Sequence, residues 1–158
     1  MIVIFENFLK DGETNQLVSL WNETERNYSN VGAHFYFNNL IPIKDNIEIK
    51  DYFFKDHIFE ALRLQKYDDT IIQNISYHRH YNPYNLVIYL NDNFHGGTLE
   101  FTNGVTVTPK KGMLVYFNEN EMHRVNDHQG VRWSLVASSK KDFLNKIISS
   151  QPSVYKYI

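Results

Sequence analysis

Thr98-Leu99-Glu100-Phe101-Thr102-Asn103-Gly104-Val105-Thr106-Val107-Thr108 is the stretch that decides the fold. Two short runs rich in β-branched and aromatic residues, Thr98–Thr102 and Val105–Thr108, flank an Asn-Gly pair. That pair between two such runs predicts a tight hairpin with a type I′ turn at Asn103-Gly104.

Outward from the hairpin the alternation of two persists. Leu86–Leu90 and Met113–Phe117 read as strands, and Val131–Ala137 as a last one. From Ile71 onward, Ile75, Tyr77, Arg79 and Tyr81 fall on one side of a further strand, with Ser76, His78, His80 and Asn82 on the other. Short strands with such frequent turns predict a jelly roll or barrel rather than a parallel sheet. The first half is mixed. Ile2–Phe5 reads as a strand. Asp11 is placed to cap a helix that carries Glu13 in its first turn and Leu17, Leu20 and Trp21 on one face. His34–Asn39 reads as strand. A second helix is predicted over Tyr52–Leu64, with Phe54, Ile58, Phe59 and Leu62 facing inward, and a closing amphipathic helix over Asp142–Ser149.

A chain of 158 residues suits one domain with one core, taken here as 1–158. With 42% hydrophobic and 22% charged residues it can bury that core and keep a solvated surface. Its 11 Tyr and 11 Phe favour strands. A net charge of -2 and a pI near 6.4 argue against a nonspecific grip on nucleic acid. There is no cysteine, so disulfides, thiolate zinc sites and cysteine nucleophiles are excluded. Any metal must be held by imidazole, carboxylate or amide. The apolar runs are too short to span a bilayer. Glu6 interrupts the opening apolar stretch, which lacks a basic region, so no secretory signal is read there. A cytoplasmic location is expected.

His80 and His123 are the first candidates for chemistry, because a jelly roll brings such remote positions together in its mouth. Two neutral imidazoles and one carboxylate on one face of an octahedron leave three positions open, the arrangement of non-haem iron(II) oxygenases. Arg132 follows His123 by nine positions, and Ser134 shares its strand face. A guanidinium fork and a hydroxyl make a receptor for a carboxylate. His34, His57, His95 and His128 are read as surface or hydrogen-bonded histidines. Gly96-Gly97 taken alone is a turn or bulge, and Lys110-Lys111 and Lys140-Lys141 are solvated loop charges.

One ordered set of motifs adds to this. Tyr89-Leu90-Asn91-Asp92 is followed by Gly96-Gly97-Thr98-Leu99-Glu100-Phe101, then Pro109-Lys110-Lys111-Gly112 and Leu114-Val115-Tyr116-Phe117. His123-Arg124-Val125 and Gly130-Val131-Arg132-Trp133-Ser134 complete it. The set, with the opening Ile2–Leu9, resembles the prolyl 4-hydroxylase-like branch of the iron(II)/2-oxoglutarate-dependent oxygenases. The resemblance implies a mainly β fold, a double-stranded β-helix (jelly roll) with supporting N-terminal helices and a short C-terminal helix. It implies His80 and His123 as iron ligands, with Asn82 aligned to the third. It pairs Arg132 with the distal carboxylate of 2-oxoglutarate, helped by Ser134, by the Tyr89 hydroxyl and by Tyr67 as a second tyrosine. The implied cofactors are Fe(II), 2-oxoglutarate and O2. The implied reaction hydroxylates a C–H bond of a prolyl residue in a protein or peptide, or of a small molecule, releasing succinate and CO2.

The chain departs from the family pattern at one point. The family has His, any residue, Asp; here His80-Tyr81-Asn82 offers an amide. Iron(II) and the 2-oxoglutarate dianion cancel in charge, so an aspartate would leave the site at minus one, whereas Asn82 leaves it neutral. Three readings follow. Asn82 or a water fills the third position of a hydroxylase; a halide enters it, as in related halogenases; or the domain is a catalytically inactive binding module. Separately, the same chemistry could serve a nucleobase, which the overall charge disfavours. His78-Arg79-His80 also places two imidazoles on one strand face, and with His123 would make a three-histidine site.

Overall fold

The computed structural model describes residues 1–23, 28–31, 34–37, 59–67, 76–118, 121–150 and 155–158. Their strands are Ile2–Phe5 (β1), Tyr28–Val31 (β2), His34–Phe37 (β3), Ala61–Tyr67 (β4), Tyr84–Tyr89 (β5), His95–Gly96 (β6), Leu99–Phe101 (β7), Thr106–Val107 (β8), Leu114–Asn118 (β9), His123–Val125 (β10), His128–Gln129 (β11), Arg132–Ser139 (β12) and Tyr155–Tyr157 (β13). The helices are Asp11–Glu23 (α1) and Leu144–Ser150 (α2). An eight-stranded sheet runs β13-β1-β9-β5-β12-β4-β3-β2. It faces a three-stranded sheet, β10-β7-β8, and a pair, β11-β6. The described pairings are antiparallel, the expected jelly-roll arrangement.

Residues directly opposite across an antiparallel pair share a sheet face. Leu64, Leu135, Ile88 and Leu114 lie in one such row across β4, β12, β5 and β9. All four are buried and join Val3, Phe5, Leu17, Phe143, Leu144 and Ile147 in a core beneath the two helices. Each such side chain contributes roughly 1.5–3 kcal/mol when fully buried. The opposite face carries Ile2, Ile4, Tyr89, Val115 and Phe117, which close on Leu99, Phe101 and Val107 of the small sheet. β1 is buried on both faces because it feeds both cores. Among the described residues no helix is long and apolar enough to cross a membrane.

Several local expectations need correction. The hairpin turn is not type I′. Gly104 N–H donates to the Phe101 carbonyl (3.0 Å), Phe101 N–H donates to the Val105 carbonyl (2.8 Å), and only Gly104 (φ 92) has positive φ there. This is the three-residue loop with a glycine bulge. It is favoured because Asn103 Oδ1 accepts the Val105 N–H (3.0 Å) without leaving the ordinary backbone region. The predicted helix over Tyr52–Leu64 is overturned at its end, since Ala61–Tyr67 is strand with Leu62 and Leu64 alternating inward; residues 51–58 lie outside the described residues. The predicted strand through residues 76–82 reduces to a single bridge at His78. In α1 the cap sits one residue earlier than predicted. Glu13 Oε1 accepts the Lys10 N–H (3.0 Å) and Thr14 N–H donates to the Lys10 carbonyl (3.0 Å), half of a capping box. Asp142 caps α2 by accepting the Leu144 N–H (2.9 Å).

Candidate metal centre and carboxylate receptor

Three imidazoles converge where the small sheet meets the large one. His78 and His123 form a reciprocal main-chain bridge, which forces their side chains to one face. Their ring centroids are 4.4 Å apart. The His80 ring lies 4.9 Å from His123 and 5.3 Å from His78. His80 Nε2 and His123 Nε2 face each other at 3.0 Å. One ligand atom from each of the three rings falls within 4.8 Å of the others.

The surroundings prepare these rings for a cation. His123 is buried against Phe117 and Phe101, at 4.6 and 5.9 Å between centroids. Burial lowers its pKa to about 4, and the neighbouring His80 and His78 add to the shift, so the ring is neutral at physiological pH. Its Nδ1 faces the Glu121 carbonyl (3.1 Å), and His78 Nδ1 faces the Ser76 carbonyl (2.9 Å). A carbonyl only accepts, so each Nδ1 carries the proton and each Nε2 keeps its lone pair. Metal-bound histidines show this second contact almost without exception.

A second polar site lies on the inner face of the large sheet. Arg132 stands opposite Tyr67, and Ser134 opposite both Gln65 and Tyr89. The Arg132 guanidinium lies over the Tyr67 ring at 4.3 Å, which fixes its plane. Tyr67 donates its hydroxyl to Gln65 Oε1 (2.8 Å). Arg132 Nε and Ser134 Oγ are buried with no hydrogen-bond partner among the described residues. Leaving such groups unmade costs roughly 1–3 kcal/mol each, so a guanidinium and a hydroxyl held this way suit a bound carboxylate. Tyr89 is buried beside them, and burial, opposed by the Arg132 charge, pushes its pKa up to about 12. It is therefore a neutral hydroxyl. Gly97 makes room for this group, because a Cβ there would lie 3.4 Å from Arg132 Cδ and 3.1 Å from the Phe94 ring.

The predicted site residues distribute as follows. His80 and His123 come together. Arg132, Ser134, Tyr89 and Tyr67 come together. Asn82 Nδ2 donates to Ser138 Oγ of β12 at 2.9 Å, and the Asn82 carbonyl accepts from Asn85 Nδ2. His78, which enters the sequence reading only through the three-histidine alternative, is the third member of the imidazole group. Gln65 and Ser138 carry no sequence signal, because their roles come from cross-strand register. On the small sheet, Glu100 accepts from Arg124 Nε (2.7 Å) and Asn126 Nδ2 (2.6 Å), while the Arg124 guanidinium lies 4.8 Å from the Tyr77 ring. This network ties β7 and β10 to the segment that carries His78. His128 is buried, with Nε2 facing the Tyr67 carbonyl (3.2 Å), in keeping with a hydrogen-bonded structural role.

Comparison with known proteins adds the context. Residues 59–137 match the sequence profile of the 2OG-Fe(II) oxygenase superfamily. Curated protein sequences give no match. Among solved structures, an oxidoreductase of the 2OG-Fe(II) oxygenase family from Burkholderia pseudomallei aligns with TM-score 0.64 and 14% identity, over 92% of this chain and 87% of that one. A Pseudomonas putida prolyl-4-hydroxylase aligns with TM-score 0.54 and 16% identity, over 89% and 93% of the two chains. HygX from Streptomyces hygroscopicus, with nickel, 2-oxoglutarate and hygromycin B bound, aligns with TM-score 0.61 and 12% identity, over 87% and 82%. At these identities the structural likeness carries the fold.

Proposed function

This chain belongs to the 2OG-Fe(II) oxygenase superfamily, and on that premise we propose that it hydroxylates a C–H bond of a small molecule or of a prolyl residue. Membership makes it an iron(II)- and 2-oxoglutarate-dependent oxygenase, with O2 as the other co-substrate. The observation that carries the proposal is the buried pair Arg132 Nε and Ser134 Oγ, without a hydrogen-bond partner among the described residues, with Ser134 directly opposite Tyr89 on one sheet face.

The residues present fit the cofactors. Imidazole nitrogens suit iron(II), and His80 and His123 would hold it. The bound iron, 2-oxoglutarate and O2 supply the oxidation, in which the co-substrate leaves as succinate and CO2 while the substrate C–H becomes C–OH. The chain's own work is binding and shielding. Arg132 would pair with the distal carboxylate, its plane held by the Tyr67 ring. Ser134 and the neutral Tyr89 hydroxyl supply further donors to that carboxylate. Phe101 and Phe117 keep water from the inner side of His123. His80 is exposed and marks the open side, where substrate would approach. The structural neighbours suggest the substrate classes: one is a prolyl-4-hydroxylase and another has hygromycin B bound.

Anaerobic titration with Fe(II) and then 2-oxoglutarate tests the proposal. A visible metal-to-ligand charge-transfer band is expected, with succinate released once O2 is admitted. Folded protein that gives no band at saturating iron and co-substrate overturns it. Asn82 at the aligned carboxylate position favours one competing reading, an inactive binding module. That reading predicts the band without succinate under any condition.

A further inference from the structure

We infer that the third protein ligand of this metal centre is His78, so that His78, His80 and His123 form an all-imidazole facial site while Asn82 ties the segment to β12. The inference rests on the oxygenase reading for the identity of the metal, and on four observations for the ligand set.

First, one ligand atom from each of the three rings lies within 4.8 Å of the others, and among the described residues no carboxylate joins this cluster. Second, His78 and His123 are held alike. Each directs Nδ1 at the carbonyl two residues before it, Ser76 and Glu121, so that Nε2 is the atom left to ligate, and that of His123 meets His80 Nε2. Third, the 3.0 Å between His80 Nε2 and His123 Nε2 matches the edge between adjacent ligands. Metal–nitrogen bonds of roughly 2.1 Å meeting at a right angle put the nitrogens about 3 Å apart. Fourth, the Asn82 side chain is held toward β12 through its amide nitrogen. It donates to Ser138 Oγ, and the chain turns at Tyr81–Pro83 before entering β5. Two positions after His80, where a carboxylate ligand would sit, the backbone is in this bend.

Three chemical consequences follow. Three neutral imidazoles leave the resting site with the full charge of the divalent ion, and a bound 2-oxoglutarate dianion brings it to zero. The co-substrate is thus drawn by one more positive charge than in a site that includes a carboxylate. The third protein position is also filled, so no place is left for a halide, which favours oxygenation over halogenation. An all-nitrogen set further prefers Fe(II) and Ni(II) over Mn(II), which suits oxygen donors.

The test uses the full chain and the metal alone. X-ray absorption of the anaerobic Fe(II)-loaded wild type should fit three imidazoles; a fit with two overturns the inference. Calorimetric Ni(II) titration should show His78→Ala weakening binding by at least thirtyfold and Asn82→Ala by less than threefold. The reverse order makes Asn82 the ligand and overturns the inference. If His78→Ala fails to fold, the wild-type absorption fit decides. Three imidazoles on the metal with no charge-transfer band after 2-oxoglutarate would sink the oxygenase reading and leave the ligand set standing.

Discussion

His78 and His123 exchange both main-chain hydrogen bonds, each N–H donating to the other's carbonyl at 2.9 and 3.1 Å, although no other residue from 76 to 83 belongs to a strand. The backbone alone thus fixes where the two rings start. Removing a ring should leave the anchor intact, whereas removing the N–H should not. His78→Ala is expected to change the stability of the metal-free protein by less than about 1 kcal/mol. His78→Pro should cost roughly 1–3 kcal/mol through the unpaired His123 carbonyl. Urea unfolding of both variants checks this, and equal destabilisation would show that the bridge contributes nothing.

Arg132 and Ser134 should both matter for 2-oxoglutarate, by different amounts. Arg132→Gln removes a charge-assisted pair worth roughly 1.5–3 kcal/mol, so 2-oxoglutarate affinity should fall about 10- to 100-fold with Ni(II) affinity little changed. Ser134→Ala removes a buried hydroxyl that has no partner among the described residues. That variant should be as stable as wild type or about 1 kcal/mol more stable, yet bind 2-oxoglutarate several-fold more weakly. Calorimetry beside thermal melts reads both, and a destabilised Ser134→Ala protein would mean the hydroxyl has a structural partner.

Gly97 links backbone geometry to the co-substrate. Its φ of 69°, and an added Cβ pressed against the Phe94 ring at 3.1 Å while touching Arg132 Cδ at 3.4 Å, predict two separate losses for Gly97→Ala. Left-handed backbone at a non-glycine costs roughly 1–2 kcal/mol, and a displaced guanidinium weakens 2-oxoglutarate binding. Gly104 has φ 92° with nothing within 4 Å of where a Cβ would stand, so Gly104→Ala should lose stability alone. If both variants bind 2-oxoglutarate as wild type does, Gly97 has no part in placing Arg132.

The pH response of the metal-free protein should carry the mark of His123. Burial holds its pKa at about 4, against 6.5 for a free imidazole. Above pH 6.5 neither folded nor unfolded chain holds the proton. As pH falls toward 4 the unfolded chain takes it up and the folded chain does not, so stability is lost with acid over that window. The loss is on the order of 3 kcal/mol and is complete below pH 4. The difference in urea stability between wild type and His123→Gln, followed from pH 7.5 to 4.5, isolates it; a difference that stays constant contradicts it.

What could be read from the sequence follows from range of interaction. The alternation around Asn103-Gly104 and the ordered motifs from Tyr89 to Ser134 are local or fixed in spacing, and they lead to the jelly roll and to the groups around His80 and Arg132. The pairing of His78 and His80 is visible as a two-residue period. Its grouping with His123 depends on a bridge between segments 45 positions apart in sequence. The turn type is not legible, because Asn-Gly serves both hairpin loops and the choice depends on the Asn103 side chain accepting from Val105. Apolar residues in Tyr52–Leu64 satisfy a helical period, yet Leu62 and Leu64 also satisfy alternation, and pairing of β4 with β12 decides between them. The Asn82–Ser138 contact and the short β13 exist only through tertiary register.

β1 lies between β9 and β13, and its register joins Ile2 to Phe117 and Val3 to Tyr157. Contacts this remote along the chain give the protein a high contact order. Refolding should accordingly take milliseconds to seconds rather than microseconds. Phe117, which backs His123, sits in the strand that β1 must reach. Assembly of the candidate metal centre is therefore coupled to the slow, entropically costly pairing of β1 with β9, and until that pairing forms its apolar walls stand open to aggregation.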